Sequence, residues 1–124
     1  MIVLAGAERT IAGAVDPAQG AADWAASKWL VEGDVDLRVP DRQPGFRKLH
    51  HKLMVIDEAT VLAGSFNYTE PANLFNDENL FVIGSPYPES EGVEVDQAAC
   101  REIGAFFQAE IDRIMDHASP WSAT

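Results

Sequence analysis

The stretch "LHHKLMVID", residues 49–57, is apolar at its centre and polar at both ends. Leu53, Met54, Val55 and Ile56 form a short strand-like run, with His50, His51 and Lys52 before it and Asp57 after it. Strand side chains alternate between two faces. His50 and Lys52 are therefore expected on the same side, with His51 on the other. Asp57 has the opposite parity to His50 and falls where the chain should turn, so it suits capping or holding the turn. An imidazole beside an ammonium suits anion chemistry. The ring can attack an electrophile or move a proton near neutral pH, and the cation steadies developing negative charge.

Working outward, "TVLAGSF" (60–66) is a second apolar run, and the turn-like "DEA" (57–59) predicts an antiparallel hairpin between the two. "NYTEPANLFNDE" (67–78) reads as irregular, and "NLFVIG" (79–84) as a further strand. Upstream, "AADWAASKWLVE" (21–32) predicts a helix closed by Gly33, and "DVDLRV" (34–39) a strand with Val35, Leu37 and Val39 on one face. "MIVLAGA" (1–7) reads as a short strand, "ERTIAGAVDPAQG" (8–20) as loop or a turn of helix, and "PDRQPGFRK" (40–48) as loop. "SPYPESEG" (85–92) reads as an exposed linker. A last helix is expected over about 94–117, its apolar face made by Val95, Ala99, Ile103, Phe106, Phe107, Ile111 and Ile114. The tail "ASPWSAT" (118–124) is expected to fray. Strands and helices alternate coarsely, which predicts an α/β or α+β class: a mixed sheet flanked by helices.

At 124 residues the chain suits one domain, and a hydrophobic fraction of 47% supplies a core. Twenty acidic against nine basic residues give a net charge of −11, which disfavours loose binding to nucleic acid or anionic lipid. One stretch runs against this balance: Arg38, Arg42, Arg47, Lys48 and Lys52 share it with Asp41 as the only acid. The single cysteine, Cys100, excludes a disulfide within the chain and reads as a core residue of the last helix. "MIVLAGAERT" lacks the basic start of a signal peptide, and no apolar run is long enough to span a bilayer. A cytoplasmic location is expected, with room for peripheral membrane contact.

His50-x-Lys52-(x4)-Asp57 is followed by Gly64-Ser65-x-Asn67 and then by "NDEN" (76–79), which holds Glu78. In these linked motifs the sequence resembles the phospholipase D superfamily, closely over residues 33–84 and more loosely in the flanking helices. The resemblance implies one phospholipase D-like half-domain over residues 1–124, in which either "MIVLAGA" replaces part of the family's βαβ lead-in or the chain is shortened at its front end. It implies a phosphodiesterase, a hydrolase acting on ester bonds, in which His50 forms a phosphohistidine. Lys52 and Asn67 would hold the phosphate oxygens, with Ser65 assisting. Glu78 would orient His50 through its second ring nitrogen, and Asp57 would be structural. No metal or cofactor is implied. His51 and His117 fall outside this set. His51 is expected to be packed or hydrogen-bonded, and His117 to sit in the final helical turn.

The superfamily's site uses two such motifs, one histidine attacking while the other protonates the leaving alcohol. This sequence has one. Either a two-fold homodimer brings two copies of His50 together, or a second motif-bearing half completes the site. A phospholipid is the favoured substrate, giving phosphatidate and an alcohol. A nuclease acting by the same route, and an inactive dimerisation or regulatory half-domain, are the alternatives. Phe46, Phe66, Tyr68 and Phe75 stand near the motifs and would either meet the substrate or fill the core.

Overall fold

The computed structural model describes residues 10–42, 48–67, 69–85 and 96–122. The strand expected over 1–7, most of the linker, and Phe46, Arg47, Tyr68 and Val95 lie outside the described residues. The class is mixed α/β, as expected, but the described strands form two three-stranded sheets rather than one mixed sheet.

The first sheet has the order β1-β2-β6. β1 (Ala12–Ala14) lies within a segment expected to be loop or helical turn. It pairs in parallel with β2 (Asp36–Pro40), Gly13 opposite Leu37. Two short helices make the crossover: α1 (Pro17–Gly20), capped by Asp16, and α2 (Ser27–Glu32). The single helix expected over 21–32 is thus confined to its second half. Gly33 closes α2 but keeps a φ of −92°; the left-handed residue is Asp34, with φ 60°. Over residues 118–122 the tail, expected to fray, is packed. β6 (Ala118–Pro120) returns antiparallel to β2, and Trp121 packs on Val15, Val35 and Leu37.

The second sheet has the order β3-β4-β5 and carries the motifs. β3 (Leu53–Ile56) and β4 (Thr60–Gly64) form the expected hairpin. Val55 and Val61 face each other across it, and both are fully buried. Asp57 and Glu58 make the turn with φ of 50° and 53°, closed by the Ala59 amide donating to the Ile56 carbonyl at 3.1 Å. Asp57 tolerates that conformation because its short polar side chain suits the left-handed region. A six-residue helix, α3 (Glu70–Phe75), interrupts the segment expected to be irregular. The Thr69 hydroxyl starts it by accepting from the Ala72 amide, and Pro71 stands in its first turn. β5 (Leu80–Ile83) pairs with β4, yet Leu80, Phe81 and Val82 are exposed.

The last helix, α4 (Gln97–Met115), joins the two sheets. Asp96 caps it by accepting from the Ala98 and Ala99 amides, both at 3.0 Å. Ile111 completes the cluster of Leu53, Val55 and Val61, and Ile114 completes that of Ala14 and Leu49. The buried stripe is Cys100, Gly104, Ile111 and Ile114, with Phe107 half-buried. Ile103 and Phe106, expected on that face, are exposed. The stripe's first half is turned by one residue because Gly104 must face the β3–β4 turn. A side chain there would collide with the Glu58 carbonyl.

Candidate active site

β3 begins at Leu53, so His50, His51 and Lys52 occupy the extended segment just before the strand rather than its interior. Burial does not alternate here: Leu49 and Leu53 are buried and anchor the segment at both ends, while His50 and His51 are both exposed. Lys52 is buried at 8% exposure, which is costly for a cation unless its donors are satisfied. Its ammonium folds back over His50. Nζ donates to the His50 carbonyl at 3.1 Å and lies 3.3 Å from His50 Nε2. The expected same-side pairing of His50 and Lys52 is present in the structure. With the ring proton on Nδ1, the single in-plane lone pair of Nε2 accepts from Lys52, and it is freed toward phosphorus when the ammonium turns to an anion's oxygen.

His51 is paired with α4 instead, and it lines the same cavity as His50. Its Nε2 lies 3.3 Å from Glu110 Oε1 on α4. Arg113 grips the same carboxylate with two donors, at 2.7 and 2.8 Å. The Arg113 hydrogen bonds, with smaller help from the charges of Arg113 and His51, outweigh desolvation and hold Glu110 below the usual carboxylate range.

The second cluster sits where β4 leaves the sheet. Ser65 Oγ donates to Glu78 Oε2 at 2.5 Å, and Asn76 donates to Oε1 at 3.2 Å. Asn79 grips the other side of Ser65. Its side-chain oxygen accepts from the Ser65 amide at 3.1 Å, and its own amide donates to Ser65 Oγ at 3.0 Å. Gly64 permits this closure, because a side chain there would strike the Asn79 carbonyl. The Ser65 bond first, then that of Asn76, and finally the attraction of Lys52 lower the pKa of Glu78 against desolvation.

Two pairs are therefore assembled, His50 with Lys52 and Ser65 with Glu78, and Lys52 lies close enough for its charge to act on Glu78. The expected bond from the His50 ring to Glu78 is replaced, within this chain, by bonds from Ser65 and Asn76. Asn67 is exposed and, among the described residues, is not hydrogen-bonded to His50 or Lys52. Asp57 stays at the turn, away from the pair. Of the four aromatics noted near the motifs, Phe66 is half-buried and Phe75 is 81% exposed. The basic stretch is thinner than its composition suggests, since Arg38 is bound to Asp36 through two donors, at 3.0 and 2.8 Å.

Sequence reasoning missed Asn76 and Asn79, although both stand in the "NDEN" already singled out. It also missed Phe106, Phe107 and Glu110. They line a cavity of about 600 Å³ that opens beside His50 and Lys52, with Leu53 and Ala63 in its floor.

These motifs agree with what the chain resembles elsewhere. The family described as cardiolipin synthase, PLD-like domain matches residues 6–102. The chain belongs to the phospholipase D superfamily. It is 42% identical over 50 residues to a phospholipase D of Rickettsia conorii, a match covering 40% of this chain and 22% of that one. Its fold is similar to the crystal structure of a phospholipase D family member, Nuc, from Salmonella typhimurium. That likeness has a TM-score of 0.67 and 20% identity, and covers 90% of this chain and 64% of the other. The chain thus spans less than two-thirds of the length of both relatives.

Proposed function

We propose that this superfamily member is a metal-independent phosphodiesterase that works through a phosphohistidine, with phospholipids as its substrate class. The observation that carries the proposal is the 3.3 Å approach of Lys52 Nζ to His50 Nε2. One phosphate can touch both atoms. Nε2 attacks phosphorus and forms a P–N bond, and the P–O bond to the alcohol breaks. Lys52 and Asn67 take up charge on the non-bridging oxygens, and Ser65 and Glu78 border the same space. The leaving alkoxide takes its proton from a second imidazole. Water, deprotonated by that imidazole, then displaces His50 and restores it.

The second imidazole comes from a second copy of the chain. Leu74 and Phe75 on α3, and Leu80, Phe81 and Val82 on β5, are exposed and flank Glu78 on both sides in sequence. An apolar edge of this kind favours a partner over water. A separate motif-bearing half is the other way to complete the site. Phospholipid is favoured over nucleic acid because the net charge is −11 and Arg38 is committed to Asp36. Among the described residues no helix is long and apolar enough to cross a membrane, so lipid would be met at its surface.

The test is hydrolysis of bis-p-nitrophenyl phosphate in EDTA. Wild type should release nitrophenol, and His50→Ala should lose roughly a thousandfold or more of that rate, as removal of a covalent nucleophile does. Equal rates from both proteins would overturn the proposal. Choline release from phosphatidylcholine vesicles, run beside plasmid nicking, decides between lipid and nucleic acid, and sizing in solution decides between dimer and missing half.

A further inference from the structure

The cavity beside His50 has a use that the phosphohistidine chemistry does not require. It runs from His50 and Lys52 over Leu53 and Ala63 to Phe106 and Phe107 on α4. Its volume of about 600 Å³ lies within the range of small-molecule sites. The two phenyl rings meet edge to face, with centroids 5.6 Å apart and planes at 87°. Phe106 is 75% exposed and lines this groove, so it presents its ring to whatever enters.

We infer that this groove seats an aliphatic arm of the phosphodiester, and that Phe106 sets the preference for substrates bearing one. The inference rests on the proposed phosphodiesterase reading and extends it. Any diester whose phosphorus lies at His50 Nε2 must send one of its two arms along the adjoining surface. On this side that surface is largely apolar, and its one carboxylate is already held. Glu110 is bound by Arg113 and faced by His51, and Lys52 is turned to His50. A nucleobase would lay its hydrogen-bonding edge against a wall that is mainly carbon, from Leu53, Ala63, Phe106 and Phe107. A polynucleotide would also bring its next phosphate toward the Glu110 carboxylate, and like charges repel. An uncharged alkyl or acyl arm meets neither obstacle and gains by leaving water.

The experiment uses three esters with the same leaving group: p-nitrophenyl methyl phosphate, p-nitrophenyl decyl phosphate and thymidine 5′-(p-nitrophenyl phosphate), all below micellar concentrations. Wild type should show a higher kcat/KM for the decyl than for the methyl ester. That ratio should fall about tenfold in Phe106→Ala, the loss expected on removing a ring that covers an apolar arm. Ile103→Ala, on the same helix but outside the groove, should keep the ratio. A wild-type ratio near one, or a ratio unchanged in Phe106→Ala, overturns the inference. So does a preference for the thymidine arm that Phe106→Ala abolishes, which would assign the groove to a base. A Phe106→Asp variant that changes oligomer size while the ratio holds would assign the ring to a second copy, and would also overturn it. If none of the esters is cleaved, the phosphodiesterase reading fails, and calorimetric titration with decylphosphonate and methylphosphonate decides the groove separately. Tighter binding of the decyl compound, weakened in Phe106→Ala, sustains the groove; equal binding removes it.

Discussion

The two sheets differ in how far apart along the chain their paired strands lie. In β3-β4-β5, Leu53 pairs with Ala63 and Gly64 with Leu80, so neighbours in the sheet are neighbours in sequence. In β1-β2-β6, Ala12 pairs with Asp36 and Arg38 with Pro120, so the last strand comes from far along the chain. The candidate chemistry sits on the locally paired sheet: His50 and Lys52 enter its first strand, Ser65 leaves its second, and Glu78 enters its third. Loop-closure entropy penalises distant pairing more heavily, so the locally paired sheet can form its register first. The difference teaches that the motif geometry needs only a hairpin and one more strand. The other sheet serves to hold α4, which in turn covers the site's floor.

That division is most severely tested at the seam. Ile114 is 1% exposed and packs with Ala14 from one sheet and Leu49, which anchors the approach to the other. Ile114→Ala removes three buried carbons and should cost about 2–5 kcal/mol. Urea unfolding followed by fluorescence measures it. If α4 fuses the sheets, the transition stays single and shifts as a whole; two separated transitions would show that the sheets are independent units.

A smaller effect should fall on one side only. Gly104 lies against the Glu58 carbonyl at the hairpin turn. Gly104→Ala forces the turn away from α4, a backbone shift that should cost about 1–3 kcal/mol. The gain in helix propensity offsets part of it, about 1 kcal/mol. Amide exchange should quicken in β3 and β4 while β1 and β2 keep their protection. Equal loss in both sheets would mean that the comparison is drawn at the wrong place.

The same contrast explains what was legible in the sequence. The hairpin, β5 and α4 were readable because period and turn residues act over a few positions. So was the closeness of His50 and Lys52, although their segment lies ahead of the ladder and does not follow its alternation. β6 was not readable. Ala118, Ser119 and Pro120 have no strand pattern of their own, and pairing with β2 and the cover of Trp121 impose one. Nor was the rotation of α4, since hydrophobic periodicity counts Ile103 and Phe106 as inward while a single close approach at Gly104 decides the angle. α3 was readable and overlooked: Thr69 ahead of Pro71 is a start signal. In the site, the residue types of Ser65 and Glu78 were evident, but their mutual bond was not, because Gly64 and Asn79 must first close the end of β4.

The smallest expected effect lies at that closure and depends on pH. Glu78 is held below the usual carboxylate range, chiefly by the Ser65 hydroxyl and then by Asn76 and Lys52. A carboxyl whose pKa is lowered by folding favours the folded state above its unfolded pKa, and that contribution fades as pH falls through the folded value. Glu78→Gln keeps the shape and removes the charge. At neutral pH the variant should melt slightly below wild type, the gap should narrow through the carboxylate range, and it should close in stronger acid. The site is exposed to solvent, which screens the charge, so the shift in Tm should be small. Exchange at the Ser65 and Asn79 amides should rise in the variant at neutral pH, while β1-β2-β6 should not respond. A gap that persists unchanged into acid would show that shape rather than charge at Glu78 holds the end of β4, and would move the electrostatic centre of the locally paired sheet back to His50 and Lys52 alone.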